Sequence, residues 1–224
     1  MDGSERRERM GHGFEPAPIA TAHGEAALAA CWSCFGPVRP AILFCQTCTA
    51  VQPPGQADHF SRLGLDLGYD VDAADLDRVY FQHQRQLHPD RFATRTPRER
   101  ALSQSQATAL NEAYETLKDP LRRADYLLHL SRDAATPEGC NLVNDMELLT
   151  EAMELREALA EAGSPAEVRV LAARAADDIR RCTSGLSDAF AAGDLDVASR
   201  LTTRLKYLRK LADDCRTRRL QLSV

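Results

Sequence analysis

Residues 87–92 read LHPDRF, a proline set between a histidine and an aspartate at the end of a stretch with helical periodicity. A proline pushes the residue before it out of the α region, so a helix that reaches Leu87 has to stop there. Two ionisable side chains are then carried on a stiff turn. Taken alone, the tripeptide fits a polar turn as well as a functional one. What flanks it decides between the two.

Upstream, Asp72 suits a helix N-cap, with Asp75 three residues later in the capping-box position. Leu76, Val79, Tyr80 and Leu87 recur at helical spacing, and His83 falls on their stripe. Downstream comes TPRE, residues 96–99: Thr96 for the cap, Pro97 for the first helical position, Glu99 for the reciprocal bond. Leu102, Gln106, Ala109, Leu110, Ala113, Tyr114 and Leu117 form the next stripe. A short helix over HFSRLGL (59–65) and a shorter fourth one over LRRADYLLHL (121–130) complete an all-helical unit spanning residues 57–131. Strand signals are scarce outside AILF at 41–44.

Residues 132–143 read as a linker containing Cys140, and residues 144–224 as three amphipathic helices. The second of these opens on SPAE (164–167), the same cap-and-proline signature as TPRE. Its stripe is Val168, Leu171, Ala175, Ile179, Cys182, Leu186 and Phe190. After Gly193 and Asp194 the third carries Leu195, Ala198, Leu201, Leu205, Leu208, Ala212 and Cys215. Short connections favour an antiparallel bundle. The fold class is therefore all-α, a helical hairpin with two short helices followed by a three-helix bundle.

Residues 31–48 read CWSCFGPVRPAILFCQTC, two C-x2-C pairs separated by ten residues. Cys31, Cys34, Cys45 and Cys48 at this spacing suit a structural zinc site in a small module, residues 28–56, because Zn²⁺ accepts four thiolates in a tetrahedron. The segment is too short to bury its own core, so the metal would supply folding free energy on the order of 10 kcal/mol. An iron or iron–sulfur site and a redox dithiol pair are the alternatives. Cys182 and Cys215 lie on apolar stripes and read as inert core thiols. With seven cysteines, four of them in this one cluster, the chain has no disulfide framework.

The net charge of −5 over 224 residues argues against nucleic acid or an anionic membrane as partner, and Arg39 is the only basic residue between 29 and 57. No stretch approaches the ~20 apolar residues of a membrane span. Residues 1–27 lack the apolar core of a secretory signal and carry too many acids for a transit peptide, so they read as a disordered tail of a cytoplasmic protein.

His88 and Asp90 form no catalytic pair by sequence, with no Ser or Cys nucleophile nearby. His83 and His88, five residues apart, would point about 140° away from each other on a helix and cannot share a metal. An amphipathic helix, HPD, and a second long amphipathic helix in that order resemble the J domain, which activates DnaK-class chaperone ATPases. The stretches HFSRLGL, LHPDRFA, LNEAYETLKDPLRRADYLL and MELREAL, in sequence, resemble the HscB family of J-type co-chaperones in iron–sulfur cluster assembly. The resemblance covers about residues 58–222, and the cysteine module resembles an extension found in some members.

That resemblance implies a protein without a catalytic centre of its own. Its partners would be an HscA- or DnaK-class chaperone and an IscU-type scaffold, with weak homodimerisation a further possibility. His88, Pro89 and Asp90, with Arg78, Arg85 and Arg91, would meet the chaperone. The chain departs from the family in placing Asp72, Asp75 and Asp77 on the same helix, which thins the basic face and points to a weak or highly specific contact. Leu149, Thr150, Met153 and Tyr207 would form an exposed apolar patch for the scaffold, Thr150 standing where an apolar residue is commoner. In that patch Leu148, Ala152 and Leu155 would supply the buried face. A competing reading makes the four cysteines the working site of a redox or metallochaperone protein.

Overall fold

A computed structural model of the chain describes residues 28–134 and 145–222. The N-terminal tail, Cys140 and most of the expected linker lie outside the described residues. Two short antiparallel strands, β1 (Ala29–Ala30) and β2 (Pro37–Val38), open the described part, with Ala29 opposite Val38. Seven helices follow among the described residues: α1 (His59–Leu63), α2 (Ala73–Leu87), α3 (Pro97–Lys118), α4 (Pro120–Ala134), α5 (Met146–Glu161), α6 (Pro165–Ala192) and α7 (Leu195–Gln221). None is long and apolar enough to cross a membrane.

Local chemistry sets the helix ends. Asp58 accepts the Ser61 N–H at the start of α1, and Gly64 ends that helix at φ +64°, where an L side chain would be strained. Thr96 and Glu99 form the full reciprocal capping box of α3. Asp72 caps α2 through the N–H groups of Ala74 and Asp75, but the box expected there does not close. Asp75 turns instead to Arg78, 2.6 Å away. The helix expected over 121–130 runs from Pro120 to Ala134, as long as α2, and Asp119 fixes its start by accepting the Leu121 and Arg122 N–H groups. The strand cue at AILF also resolves differently. Ala41 is left-handed at φ +65°, and only Phe44 pairs, in an isolated bridge to Val51.

The core is continuous. Phe60, Leu63, Leu76, Leu87, Leu110 and Leu117 pack α1, α2 and α3 together, and the cluster extends through Leu155, Leu186, Leu205 and Leu208 in the bundle. Leu43 and Val51 of the cysteine module join the same cluster. Gly185 of α6 allows a close approach to α7, since a Cβ there would stand 3.1 Å from Leu201 Cδ1. The two helical units meet along α4 and α7. Tyr69 stacks on Phe190 with centroids 5.3 Å apart, Ser187 donates to Asp70 at 2.6 Å, and Lys206 pairs with Asp125 at 2.7 Å. Arg209 Nη1 reaches both oxygens of Asp119 at 2.9 and 2.7 Å.

Asp119 thus caps a helix and anchors the neighbouring unit at once. Burial alone would raise its pKa. The Arg209 hydrogen bonds and the N–H groups of Arg122 and Leu121 outweigh that and hold it below the ordinary carboxylate range. The stability this carboxylate supplies is therefore complete above its unfolded value of ~3.9 and is lost as pH falls through the lower folded value. Asp119→Asn keeps the capping oxygen and removes the charge. We expect the variant to melt about 2–4 °C lower at pH 7, the effect of roughly 1 kcal/mol in a chain of this size, and the gap to narrow steadily in melts taken below pH ~3.9.

Candidate functional site

The turn after Leu87 stands in water. His88 leaves the helix at φ −56°, ψ 134°, as the following proline requires, and Pro89–Phe92 form one 3₁₀ turn. Phe92 is buried and pins the far end. The His88 side chain is 59% exposed and that of Asp90 89%. His88 Nδ1 accepts the Asp90 N–H at 3.3 Å and lies 3.4 Å from Asp90 Oδ2, so the imidazole braces the backbone that carries the carboxylate. The nearby Ser103 hydroxyl is buried and committed to the Leu87 carbonyl at 2.9 Å.

The α2 face is as thin in positive charge as its sequence suggests, for reasons now visible. Arg78 is tied to Asp75. Asp77 is occupied by the Tyr114 hydroxyl at 2.8 Å and by Lys118 at 3.3 Å, and its pKa is lowered by the first and then the second. Arg85 and Arg91 are exposed and make no ion pair among the described residues. Arg95 and Arg100, just beyond the turn, are also exposed and were not singled out from sequence. Their clustering in RFATRTPRER was the available signal. His83 is half-buried, with Nδ1 unpartnered and its pKa lowered by burial, so it is a neutral packing residue.

On the bundle, α5 splits its apolar residues between two faces. Leu148, Leu155 and Leu159 are buried, while Leu149 is 38%, Met153 61% and Tyr207 41% exposed. Those three line one groove of about 260 Å³ with Ala152, Leu155 and Leu211 at its floor and Arg156, Lys210 and Asp214 at its rim. The rim residues were legible in principle, since Arg156 and Lys210 lie three positions after Met153 and Tyr207 and share their helix faces. Thr150 is not in this groove. It donates to the Met146 carbonyl at 2.8 Å and faces a neighbouring depression with Glu147, Glu151 and Glu154. Arg204 clamps Glu151 at 2.6 and 2.9 Å, and Arg200 holds Asp145 and Glu147 at 2.5 and 2.6 Å, so α5 is fixed against α7.

The four cysteines converge as their spacing suggests. All four Sγ atoms lie within 4.8 Å of one another, with Cys31–Cys48 and Cys34–Cys45 at 3.7 Å. A tetrahedron built on Zn–S bonds of ~2.3 Å has edges of ~3.8 Å, so the donor set fits one such ion. The N–H groups of Ser33 and Thr47 and the Gln52 amide point at the sulfurs at 3.3–3.4 Å. Burial draws the Cys31 thiol up, but N–H groups of Cys34 and Ser33 and the thiols of Cys48 and Cys45 outweigh it and bring it to about 6. The Gly36 N–H pulls Cys34 down, yet the neighbouring sulfurs and burial push it up to about 12. Four thiolates this close need a cation among them. Cys182 and Cys215 are buried core thiols raised by burial, as their stripes implied.

Comparison with known proteins bears on the same regions. Residues 144–216 match the family described as the HSCB C-terminal oligomerisation domain. The iron–sulfur cluster co-chaperone protein HscB of Mus musculus is 34% identical over 197 residues, covering 86% of this chain and 83% of the mouse protein. The co-chaperone protein HscB homolog of Aeromonas salmonicida is 36% identical over 161 residues, 70% of this chain and 93% of that one. The crystal structure of human co-chaperone protein HscB superposes with a TM-score of 0.77 at 33% identity, covering 87% of this chain and all of the human one.

Metal analysis of the purified protein is expected to return one ion per chain. Gln52→Ala, which removes the outer amide from Cys31, is expected to weaken metal affinity about 10- to 100-fold in a chelator competition without changing the stoichiometry.

Proposed function

Because this chain belongs to the HscB family of iron–sulfur cluster co-chaperones, we propose that it stimulates the ATPase of a DnaK- or HscA-class chaperone and delivers an IscU-type scaffold to it. The observation that carries this reading is the separation of two exposed features on one rigid frame. A stiff acidic turn stands at the end of α2, and an apolar groove lies between α5 and α7.

In this reading the protein forms and breaks no covalent bond. Pro89 fixes its own φ, so the turn loses little entropy on docking. The His88 imidazole holds the Asp90 N–H and lies 3.4 Å from Oδ2, and the carboxylate, 89% exposed, stays open to a cation on the chaperone. Arg85 and Arg91 flank that contact and suit an acidic surface, with Arg78 a weaker contributor because Asp75 already engages it. The scaffold rests on Leu149, Met153 and Tyr207, and Thr150 touches only its edge. The family's oligomerisation description leaves weak homodimerisation open to sedimentation measurement. Zinc, when bound by Cys31, Cys34, Cys45 and Cys48, holds the module together. Burial of Cys31 and Cys45 and a complete set of four protein donors favour that structural role over redox cycling or cluster transfer.

The test is single-turnover ATP hydrolysis with scaffold present, comparing a dedicated HscA-type chaperone with a general DnaK. Asp90→Asn is expected to lower stimulation about 10- to 100-fold, the scale of one charge-assisted hydrogen bond, while scaffold affinity is retained. Wild-type stimulation by Asp90→Asn would refute the mechanism. Met153→Ala combined with Tyr207→Ala is expected to weaken scaffold binding in calorimetry by about 30-fold or more, with stimulation in the absence of scaffold unchanged.

A further inference from the structure

The cysteine module and the HPD turn are far apart in sequence, yet both rest on α3. We infer that the module positions the turn through α3, so that a loaded metal site is a precondition for a correctly held Leu87–Arg91 segment. The functional weight of this rests on the co-chaperone reading above; the coupling itself stands on the contacts.

The chain of contacts begins at a metal ligand. The Gln52 side-chain amide donates to Cys31 Sγ at 3.3 Å and to the Ala50 carbonyl at 2.8 Å. The Gln52 carbonyl accepts from Gln106 Nε2, on α3, at 2.9 Å. Gln106 is 1% exposed, and its Oε1 has no hydrogen-bond partner, so this amide has few alternatives if the module withdraws. One turn earlier on the same face of α3, Ser103, 2% exposed, donates to the Leu87 carbonyl at 2.9 Å. In a continuous helix that carbonyl would receive the Arg91 N–H. Here the Arg91 N–H goes to His88 O at 3.0 Å, and Ser103 supplies the missing donor. Leu87 is the residue directly before His88.

A second contact brackets Ser103 from the other side. The Arg98 guanidinium, in the first turn of α3, lies over the Trp32 ring at 4.3 Å, and Trp32 Nε1 donates to the Val51 carbonyl at 2.6 Å. Trp32 lies inside the first C-x2-C pair, so its position depends on that knuckle. The module therefore grips α3 at Arg98 and Gln106, with the one hydroxyl that fixes the Leu87 carbonyl between them. Leu43 and Val51 keep one edge of the module on the main core, but around the ligands the buried cluster is only Cys31, Val38 and Cys45, so the Trp32 and Gln52 side chains lose their support once the sulfurs separate. Ser103 and Gln106 are positioning residues. They touch no partner and act through the backbone of Leu87.

Amide exchange measured by NMR on the full chain tests this, read at Arg91 and Ala93, whose N–H groups bond within the turn. Stripping the metal with a chelator is expected to speed their exchange about three- to tenfold, the loss of roughly one hydrogen bond. The amides of Leu186 and Leu205 in the bundle should keep their rates. Ser103→Ala should reproduce the effect with its metal content intact, and Ser103→Thr, which keeps the hydroxyl, should reverse it. Unchanged rates at Arg91 and Ala93 in either the stripped protein or Ser103→Ala overturn the coupling, as does an equal rise at Leu186 and Leu205. Chaperone stimulation measured on the same samples separates the two claims: a metal-loaded wild type that stimulates no chaperone refutes the function and leaves the exchange result standing.

Discussion

Pro89 disfavours a helical residue before it, and this one constraint shapes the end of α2 and the turn that follows. It ejects His88 from α2, denies the Leu87 carbonyl its helical donor and puts two ionisable side chains on a single 3₁₀ turn. Everything near the turn compensates for the interruption. Ser103 satisfies the orphaned carbonyl, Phe92 anchors the exit in the core, and His88 binds the Asp90 N–H. What is left over is one carboxylate facing solvent on a backbone with little freedom, which is the form of group a partner protein can read at small entropic cost.

The rest of the chain keeps that carboxylate at a defined place relative to the apolar groove on the bundle. Tyr69 against Phe190 docks the segment between α1 and α2 on α6, Asp119 against Arg209 locks α4 on α7, and Arg200 and Arg204 hold α5 in its place. The proposed hand-over of one protein to another needs such a frame, because two sites on a loose tether would fix no mutual orientation. The continuous core, from Leu43 in the cysteine module to Cys215 in α7, shows that the parts are packed as one body rather than strung together.

Much of this was legible from sequence because it is written in short-range chemistry. Thr96-Pro97-Arg98-Glu99 carries its own cap, the stripes of α6 and α7 turn inward as their spacing says except for Leu195, left exposed in the first turn of α7, and two C-x2-C pairs can converge only by folding back on each other. The split of α5, with Leu148 inward and Leu149 and Met153 outward, was readable as an alternative face of one helix. What was not legible depends on contacts between distant segments. Asp119, which caps the start of α4, also meets Arg209, ninety residues away. Thr150 turns to a neighbouring depression because a helix advances about 100° per residue. Arg98 on Trp32 and Gln106 on Gln52 join segments that no periodicity relates.

The central claim is that the exposed HPD turn, and not the cysteine site or the bundle, is what a chaperone ATPase meets. The most direct measurement is an NMR titration of the isotopically labelled chain with the isolated ATPase domain of an HscA-type chaperone, without scaffold. Amide signals of His88, Asp90 and Arg91, with those around Arg85 on α2, should shift together, and those around Met153 and Tyr207 should stay in place. Shifts confined to α5 and α7, or to the residues around Cys31 and Cys45, would contradict it.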